Sequence, residues 1–502
     1  MLGVLGLIYA LARLRIESNG TGAALHANLS SLRSYWLASG GLWASLTGLC
    51  FLLVRKRDRA SELRGGGWAI AIVLIVAAAA RLAIVLVHQP SLSDDIFRYV
   101  FDGRTLAAGF NPYLQTPAER MTMPDRWPGE SGIASQVNNR QLHTIYLPAS
   151  QYAFAAAATI WTLVHRDLDT GLLVFRSAFA CVDLVAVVFI VLLLRREHRS
   201  PWWAALYAWH PLALSEIAGS GHQDVLGIAL MLAAMLVYTV WSRRVACRQS
   251  ENWKVGNGNS GISNFDLPLS TFTSALLGVA VMVKPVAAVV ALLMLSRRRL
   301  RAWIVSVIAG ALVCIVLAAP LMLTHDREPL RNWRATAGRF SEKWAHFGSV
   351  YVPTLAVMHA ADPIEDEQSQ WQKKEAHERW ARYVCFSLVG VVIVAALVLR
   401  AGVFAGSRAI LFAMVLFSTT AHPWYLLWAL VLLPLRFSPA VWIASLTLPW
   451  GYVAWTDPEW NVPAWVMGAA YAPVYSALAA DLVRVWRARR TRDGMMASRD
   501  EA

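Results

Sequence analysis

Long apolar runs separated by polar segments make up most of the 502-residue chain. Most of the runs are about 16–25 residues long, the length that a helix rising roughly 1.5 Å per residue needs to cross a bilayer. They lie at approximately residues 35–54, 67–87, 149–164, 172–194, 202–217, 225–241, 276–295, 303–323, 384–399, 409–418, 424–435, 440–452 and 462–482. This pattern predicts an all-α, polytopic transmembrane protein, one integral membrane domain over residues 1–502 with roughly ten to thirteen spans.

The longer polar segments divide this domain into regions with expected sides. Residues 88–148 and 324–383 are predicted as the first and second outer loops, because each follows a run that leaves the cytoplasm. Residues 242–271, in which Asn and Gly recur, are predicted as a cytoplasmic linker, and residues 484–502 as a basic cytoplasmic tail. The alternation of sides then leaves residues 149–164 as a re-entrant or tilted segment.

The composition supports a membrane protein, since 57% of the residues are hydrophobic and only 16% are charged. The net charge of +14 comes from basic residues that cluster at the ends of the apolar runs, at 55–57, 195–196, 243–244, 297–299 and 487–492. Basic clusters in these places are typical of anchoring to an anionic cytoplasmic leaflet. With no nucleic-acid-binding motif beside them, the expected partners are membrane lipids and not nucleic acid.

Metal and cofactor chemistry has little support in the sequence. The five cysteines are far apart and odd in number, which favours neither a disulfide framework nor a metal cluster. The zinc-protease and phosphate-loop signatures are also missing. We therefore expect no metal and no cofactor.

The strongest chemical signal is a charged segment directly after one of the most apolar runs. On a helix, Asp95, Arg98, Tyr99 and Asp102 fall at i, i+3, i+4 and i+7 and share one face, and Asp94 lies four residues before Arg98. Carboxylates beside a membrane span are expensive unless they are solvated, paired or used. The face could supply a proton acceptor and a phosphate clamp, or it could be a solvated interfacial helix with local charge pairs.

Further polar groups interrupt or flank apolar runs elsewhere. His222 and Asp224 precede one run, where an Asp is also a common helix cap. Lys284 stands before a proline inside another run, which indicates a broken helix that lines a cavity, or a cation that reaches the interface. His422 belongs to a His-Pro-Trp-Tyr sequence, which also suits an interfacial aromatic belt.

Several of these motifs, in this order, resemble the signature of polytopic bacterial GT-C glycosyltransferases. The nearest groups are the polyprenyl-phosphate-mannose-dependent mannosyltransferases. The matching stretches are Ser93 to Arg104, Gly109 to Tyr113, Ile145 to Pro148, Trp209 to Asp224, Val283 to Pro285, Trp344 to Gly348 and His422 to Tyr425. The chain departs from the family pattern at Leu147, where Pro is usual, and at His210 and Gly348, where Asn is usual.

The resemblance implies a GT-C-like fold with a large first outer loop, in the bacterial inner membrane, and an active site that faces the periplasm or the outside. It implies inverting transfer of a hexose, mannose being one candidate, from a polyprenyl-phosphate donor to a hydroxyl of a glycan or glycolipid acceptor. An acid of the first outer loop serves as the base in that family, and this position aligns with Asp95, with Asp94 second.

The remaining candidates would surround the substrates. A phosphate leaving group calls for cations, for which the chain offers Arg98, Arg104 and Lys284. We expect Tyr99 and Asp102 beside the base, and His222, Asp224 and His422 around the sugar or the phosphate.

Three alternatives remain open. A GT-C enzyme with a lipid-pyrophosphate donor would make a divalent ion at Asp94 and Asp95 plausible. A lipid-linked sugar transporter or flippase would show two halves with matching broken helices, and only the Lys284-Pro285 break is evident. A non-catalytic lipid-binding scaffold would retain its function after Asp95→Asn.

Overall fold

A computed structural model describes residues 2–14, 16–17, 26–27, 29–55, 67–87, 90–164, 167–254, 266–296, 300–363 and 367–500. Nearly all of these residues are helical, which confirms the predicted all-α class. The described part contains one antiparallel ribbon of two short strands, β1 (Ile16–Glu17) and β2 (His26–Ala27).

Twenty-one α-helices follow one another along the described chain. The first eleven are α1 (Leu2–Arg13), α2 (Leu29–Arg55), α3 (Gly67–Val87), α4 (Asp95–Ala107), α5 (Pro117–Arg120), α6 (Glu130–Ala134), α7 (Pro148–Val164), α8 (Leu168–Arg196), α9 (Ala205–Ala208), α10 (Pro211–Ala213) and α11 (Asp224–Lys254). The others are α12 (Asp266–Val281), α13 (Ala288–Leu295), α14 (Leu300–Met322), α15 (Glu328–Lys343), α16 (Tyr351–Ala361), α17 (Glu367–Val398), α18 (Val403–Leu416), α19 (Leu427–Leu430), α20 (Pro439–Thr447) and α21 (Ala464–Asp500).

Six of the described helices are long and apolar enough to cross a membrane, namely α2, α3, α8, α14, α17 and α21. The chain is therefore a polytopic membrane protein, as predicted. Five shorter apolar helices or helix portions, of 10–17 residues, lie within α1, α11, α12, α18 and the segment 285–295. A total of ten to thirteen spans requires some of these shorter segments to cross, and that count stays a prediction. Helix α7 has 17 residues, and its assignment as a re-entrant or tilted segment also stays a prediction.

Two apolar runs are broken in the structure, one that looks continuous in the sequence and one in which the sequence predicts a break. The run at 202–217 consists of a 3₁₀ turn, α9, α10 and a π-helical segment, Leu214–Gly219. The break predicted at Lys284 and Pro285 is confirmed, because α12 ends at Val281 and the backbone of Lys284 is extended before a new helix begins. A proline has no backbone N–H and clashes with the preceding turn, so a helix rarely continues through it.

Each of the polar segments predicted between the apolar runs contains helices or parts of helices. The first outer segment, 88–148, contains α4, α5 and α6, and the second, 324–383, contains α15, α16 and the beginning of α17. Helix α11 extends into the predicted linker 242–271, and residues 255–265 of that linker lie outside the described residues. The basic residues 56–57 and 297–299 also lie outside them, and so do residues 364–366. These domain boundaries and the cytoplasmic tail at 484–502 stay predictions.

Close packing against α7 holds helix α4 in place. A Cβ on Gly103 would lie 2.5 Å from the carbonyl oxygen of Phe154, so a glycine is needed where the two helices cross. One turn earlier, the ring of Tyr99 stacks on the ring of Phe154 with centroids 4.8 Å apart. These contacts fix the direction of α4 and thereby the place of its first turn.

Candidate active site

The first turn of α4 presents two neighbouring carboxylates. Asp94 precedes the helix and Asp95 is its first residue, and the Asp95 backbone N–H donates to Ser93 Oγ at 3.2 Å. The side-chain amide of Asn138 donates to Asp94 Oδ1 at 2.5 Å and lies 3.4 Å from Asp95 Oδ1. Both acids are half-buried, and the N-terminus of a helix stabilises negative charge.

The surroundings of Asp94 change its pKa. Burial, and after it the negative charge of Asp95, raises the pKa of Asp94 to about 7. A carboxyl group with a pKa near neutrality exchanges protons readily under physiological conditions. Asp94 can therefore bind and release a proton close to neutral pH.

His222 reaches this pair from a sharp turn before α11. Gly221 has φ +77°, and a Cβ there would lie 2.6 Å from Ile96 Cδ1, so both the backbone conformation and the space require glycine. His222 is 1% exposed, and its Nδ1 lies 3.9 Å from Asp95 Oδ2. On the other side of the ring, Nε2 lies 3.3 Å from Glu216 Oε2.

Four aromatic rings form a column beside the acids. The His222 ring stacks on Trp424 at 4.2 Å, Trp424 stacks on His422 at 4.3 Å, and His422 stacks on His346 at 5.0 Å. Burial lowers the pKa of His346, in the connection between α15 and α16, to about 4, so its imidazole is neutral at pH 7. In the described part of the chain, His346 Nε2 and His422 Nδ1 are buried and have no hydrogen-bond partner.

Lys284 and Asp224 form a charge pair close to the column. Lys284 Nζ donates to Asp224 Oδ1 at 2.6 Å and lies 4.3 Å from the ring centroid of Tyr425, the neighbour of Trp424. The indole N–H of Trp428 donates to the same Asp224 oxygen at 2.7 Å. The carboxylate of Asp224 thus binds side chains from two other segments, and Lys284 is held at the break between α12 and α13.

The next turns of α4 carry a second set of polar residues, whose charged groups pair with each other. Arg98 Nε donates to Asp102 Oδ1 at 2.9 Å, and Arg98 Nη1 donates to the carbonyl oxygen of Leu142 at 3.0 Å. Asp102 Oδ2 accepts from Gln151 Nε2 at 3.0 Å, and Asp102 is 0% exposed. Tyr99 is buried among the rings of Tyr146 and other aromatic residues. The face predicted from spacing therefore divides into the partly exposed Asp95 and a buried set formed by Arg98, Tyr99 and Asp102.

Arg104 lies apart from both sets. Its guanidinium lies 5.5 Å from the ring centroid of Trp127. It follows Asp95 by nine residues on one helix, a separation of about 13 Å along the axis. The structure thus brings together Asp94, Asp95, His222 and His422, places Lys284 and Asp224 next to them, and leaves Arg104 at a distance.

Sequence reasoning did not single out several residues that the structure places at the site. Glu216 interrupts the apolar run at 202–217, and an acid in such a run is itself a signal of function. Trp424 lies in a quoted motif but was grouped with the interfacial belt. Asn138 lies in a polar loop, where one more amide gives no signal.

Two family models match the chain. The model described as alpha-(1->6)-mannopyranosyltransferase, N-terminal domain, of the MptA/B family matches residues 6–298, which include the acid pair, His222 and Lys284. The model described as glycosyltransferase family 87 matches residues 169–434, which include His222, Lys284 and His422. Each match covers more than half of the 502 residues. Comparisons with curated proteins and with solved structures found no match.

Proposed function

Since the chain belongs to the alpha-(1->6)-mannopyranosyltransferase (MptA/B) family and to glycosyltransferase family 87, it is a membrane glycosyltransferase, and we propose the reaction that it catalyses. It transfers a hexose, with mannose as the first candidate, from a polyprenyl-phosphate donor to an acceptor hydroxyl. The acceptor is a glycan or glycolipid on the outer side of the bacterial inner membrane. The reaction is a single displacement and inverts the configuration of the anomeric carbon.

Asp95 is the general base in this proposal. The acceptor oxygen forms its bond to the anomeric carbon while the bond from that carbon to the phosphate oxygen breaks. The acceptor proton moves to the Asp95 carboxylate, and the polyprenyl phosphate leaves with the bonding electrons. A nearby carboxylate also stabilises the positive character that the sugar ring develops, as in glycoside hydrolysis.

The accessibility of the acid pair carries the proposal. The Asp95 side chain is 26% exposed, and in the part of the chain that the structure describes neither Asp94 nor Asp95 forms an ion pair with Lys or Arg. A carboxylate that already binds a guanidinium, as Asp102 does, has less capacity to accept a proton. Asp95 therefore suits the role of base better than Asp102 on the same helix.

An apolar cavity beside Lys284 supports a lipid-linked donor. The cavity has a volume of about 470 Å³, lies between α7, α8, α11 and α12, and is lined by apolar side chains. Val283 belongs to its wall, and the next residue is Lys284, whose ammonium group is 2.6 Å from Asp224. An isoprenoid chain in the cavity would bring its phosphate close to an ammonium group that has further N–H donors.

A lipid-pyrophosphate donor is the second candidate within the same enzyme class. Two half-buried carboxylates on one side of Asn138 could hold a divalent cation, which would then neutralise the pyrophosphate. In the described residues, no group of three or more His, Cys, Asp or Glu side chains is placed to bind a metal. Transfer assays with each donor, with and without a chelator, distinguish the two.

The test is sugar transfer in membrane vesicles that contain the wild type or Asp95→Asn at equal protein level. We expect the wild type to consume a radiolabelled polyprenyl-phosphate hexose without added metal, and Asp95→Asn to be inactive. Consumption of a pyrophosphate donor alone, lost on chelation, would support the second candidate. Movement of intact donor across the membrane without transfer would favour a transporter.

A further inference from the structure

Glu216 is a fully buried carboxylate that the reaction above does not use. It lies in the π-helical segment Leu214–Gly219 and is 0% exposed. Its Oε1 accepts a hydrogen bond from the Tyr452 hydroxyl, whereas Oε2 has no hydrogen-bond partner in the described part of the chain. A buried carboxylate oxygen without a donor is unfavourable, so its neighbours are informative.

The neighbour of that oxygen is the imidazole of His222. His222 Nε2 lies 3.3 Å from Glu216 Oε2, and the His222 backbone N–H donates to the carbonyl oxygen of Glu216 at 3.0 Å. The opposite ring nitrogen, Nδ1, lies 3.9 Å from Asp95 Oδ2. One imidazole therefore stands between a buried carboxylate and the proposed base, and stacking on Trp424 restrains its plane.

We propose that Glu216 is a positioning residue that holds a proton on Nε2 of His222 and turns Nδ1 toward Asp95. This inference rests on the proposed function, because it assigns the role of Glu216 through the base of that reaction. A carboxylate behind an imidazole fixes the tautomer and orientation of the ring and stabilises its cationic form. The imidazolium in turn favours the ionised carboxylate of Asp95 that accepts the proton of the acceptor.

The charged and titratable groups around the ring favour this arrangement. Glu216 also faces Tyr452 and, through an electrostatic interaction, Tyr35 of α2. His222 faces Asp95 and interacts electrostatically with Asp94, and His422 lies on the far side of Trp424. Three carboxylates, those of Glu216, Asp95 and Asp94, thus lie around the His222 ring.

The test is a double-mutant cycle with Glu216→Gln and His222→Gln. Glu216→Gln retains the shape of the side chain and its ability to accept from Tyr452 but removes the charge. We expect kcat to fall about tenfold or more with KM within about twofold, and the rise of activity with pH to move to higher pH. In the His222→Gln background the same substitution is expected to have almost no further effect, because the two residues act as a unit.

Tyr452→Phe is the matched control, since it removes the other partner of Glu216 and leaves the charge beside His222. The inference predicts lower thermal stability and an unchanged pH profile for Tyr452→Phe. It is overturned if the effects of Glu216→Gln and His222→Gln multiply, or if Tyr452→Phe shifts the pH profile as Glu216→Gln does.

Two further outcomes keep the result interpretable. If Glu216→Gln does not accumulate, Glu216→Asp replaces it, and the inference predicts a reduced kcat with an unchanged pH profile; a wild-type kcat contradicts it. If the wild type transfers no sugar from any polyprenyl-phosphate hexose, the proposed function fails and this inference fails with it. An active wild type with multiplicative effects overturns the inference alone.

Discussion

Helix α4 carries two sets of acidic residues that differ in how their charges are satisfied. At its first turn, Asp94 and Asp95 are half-buried and share the amide of Asn138. About two turns later, Asp102 is 0% exposed and binds Arg98 at 2.9 Å and Gln151 at 3.0 Å. The two sets share a helix and lie within eight residues of each other, yet only the first has a carboxylate that a substrate can reach.

The difference separates a structural role from a chemical one. The ion pair of Arg98 and Asp102 is buried and is linked to α7 through Gln151, and loss of one partner of such a pair leaves a buried charge. A partly exposed carboxylate that forms no ion pair with Lys or Arg is available to bind a proton or a substrate. The comparison therefore predicts that substitutions at the first turn change catalysis, and substitutions at Arg98 or Asp102 change stability.

The largest expected effect is that of Asp95→Asn on the rate of sugar transfer. Loss of a general base lowers turnover by a factor of about 10²–10⁴. We expect transfer in membranes to fall in this range while the amount of folded protein is unchanged. If Asp95→Asn transfers sugar as the wild type does, the first turn of α4 does not have the chemical role that the comparison assigns to it.

Asp102→Asn tests the structural half. The substitution leaves the Arg98 guanidinium without its buried counter-ion, and such a loss lowers the free energy of unfolding by about 3–5 kcal/mol. Thermal unfolding in detergent measures the destabilisation, and transfer per folded molecule is expected to stay within about threefold of the wild type. If Asp102→Asn abolishes transfer at wild-type stability, the base lies at Asp102 and the comparison is inverted.

Lys284→Gln sharpens the comparison at the donor phosphate. A charge-assisted hydrogen bond to phosphate contributes about 1.5–3 kcal/mol, so KM for the donor is expected to rise by about tenfold or more. Lys284→Arg, which keeps the charge, is expected to retain most of the affinity. Arg104→Gln is expected to change KM for the donor by less than about twofold, because the guanidinium of Arg104 lies over Trp127, remote from the acids. If Arg104→Gln raises this KM more than Lys284→Gln does, the phosphate binds near Arg104 and not near Lys284.

The smallest expected effect concerns pH and Asp94. Its pKa is raised to about 7 in the folded protein, mainly by burial, from about 3.9 in an unfolded chain. Because the folded state binds this proton more tightly, the stabilising contribution is complete below about pH 4 and is lost as the pH rises through 7.

Asp94→Asn imitates the protonated carboxyl, so its melting temperature is expected to exceed that of the wild type by about 1–3 °C at pH 8 and to approach that of the wild type at pH 4. Melting curves at the two pH values measure the difference. A stabilisation that is equal at both pH values would mean that Asp94 does not titrate in this range.

The sequence predicts the fold class well because apolar length is a local property. The runs that became α2, α3, α8 and α14 were visible as such, and the proline after Lys284 indicated the break between α12 and α13. The run at 202–217 looked continuous, but the structure divides it into short buried pieces. Tertiary packing decides whether an apolar run forms one helix or several short ones, and apolar content alone does not predict which.

The candidate site was predictable in part for a similar reason. The spacing of Asp95, Arg98 and Asp102 places them on one face. Only the tertiary structure shows that Asp102 is buried and binds both Arg98 and Gln151. The approach of His222 to Asp95 depends on the positive φ of Gly221 and on the space beside it. Contacts between segments more than a hundred residues apart have no signature in the spacing of either segment.

The most direct test of the account follows donor binding and one round of sugar transfer in the same sample of Asp95→Asn. Purified wild type and variant are mixed with a labelled polyprenyl-phosphate hexose and an acceptor, and bound donor and transferred sugar are measured separately. The account predicts that the variant binds the donor as the wild type does and transfers almost none of the bound sugar. Transfer by Asp95→Asn at the wild-type rate, with the donor bound equally well, would contradict it.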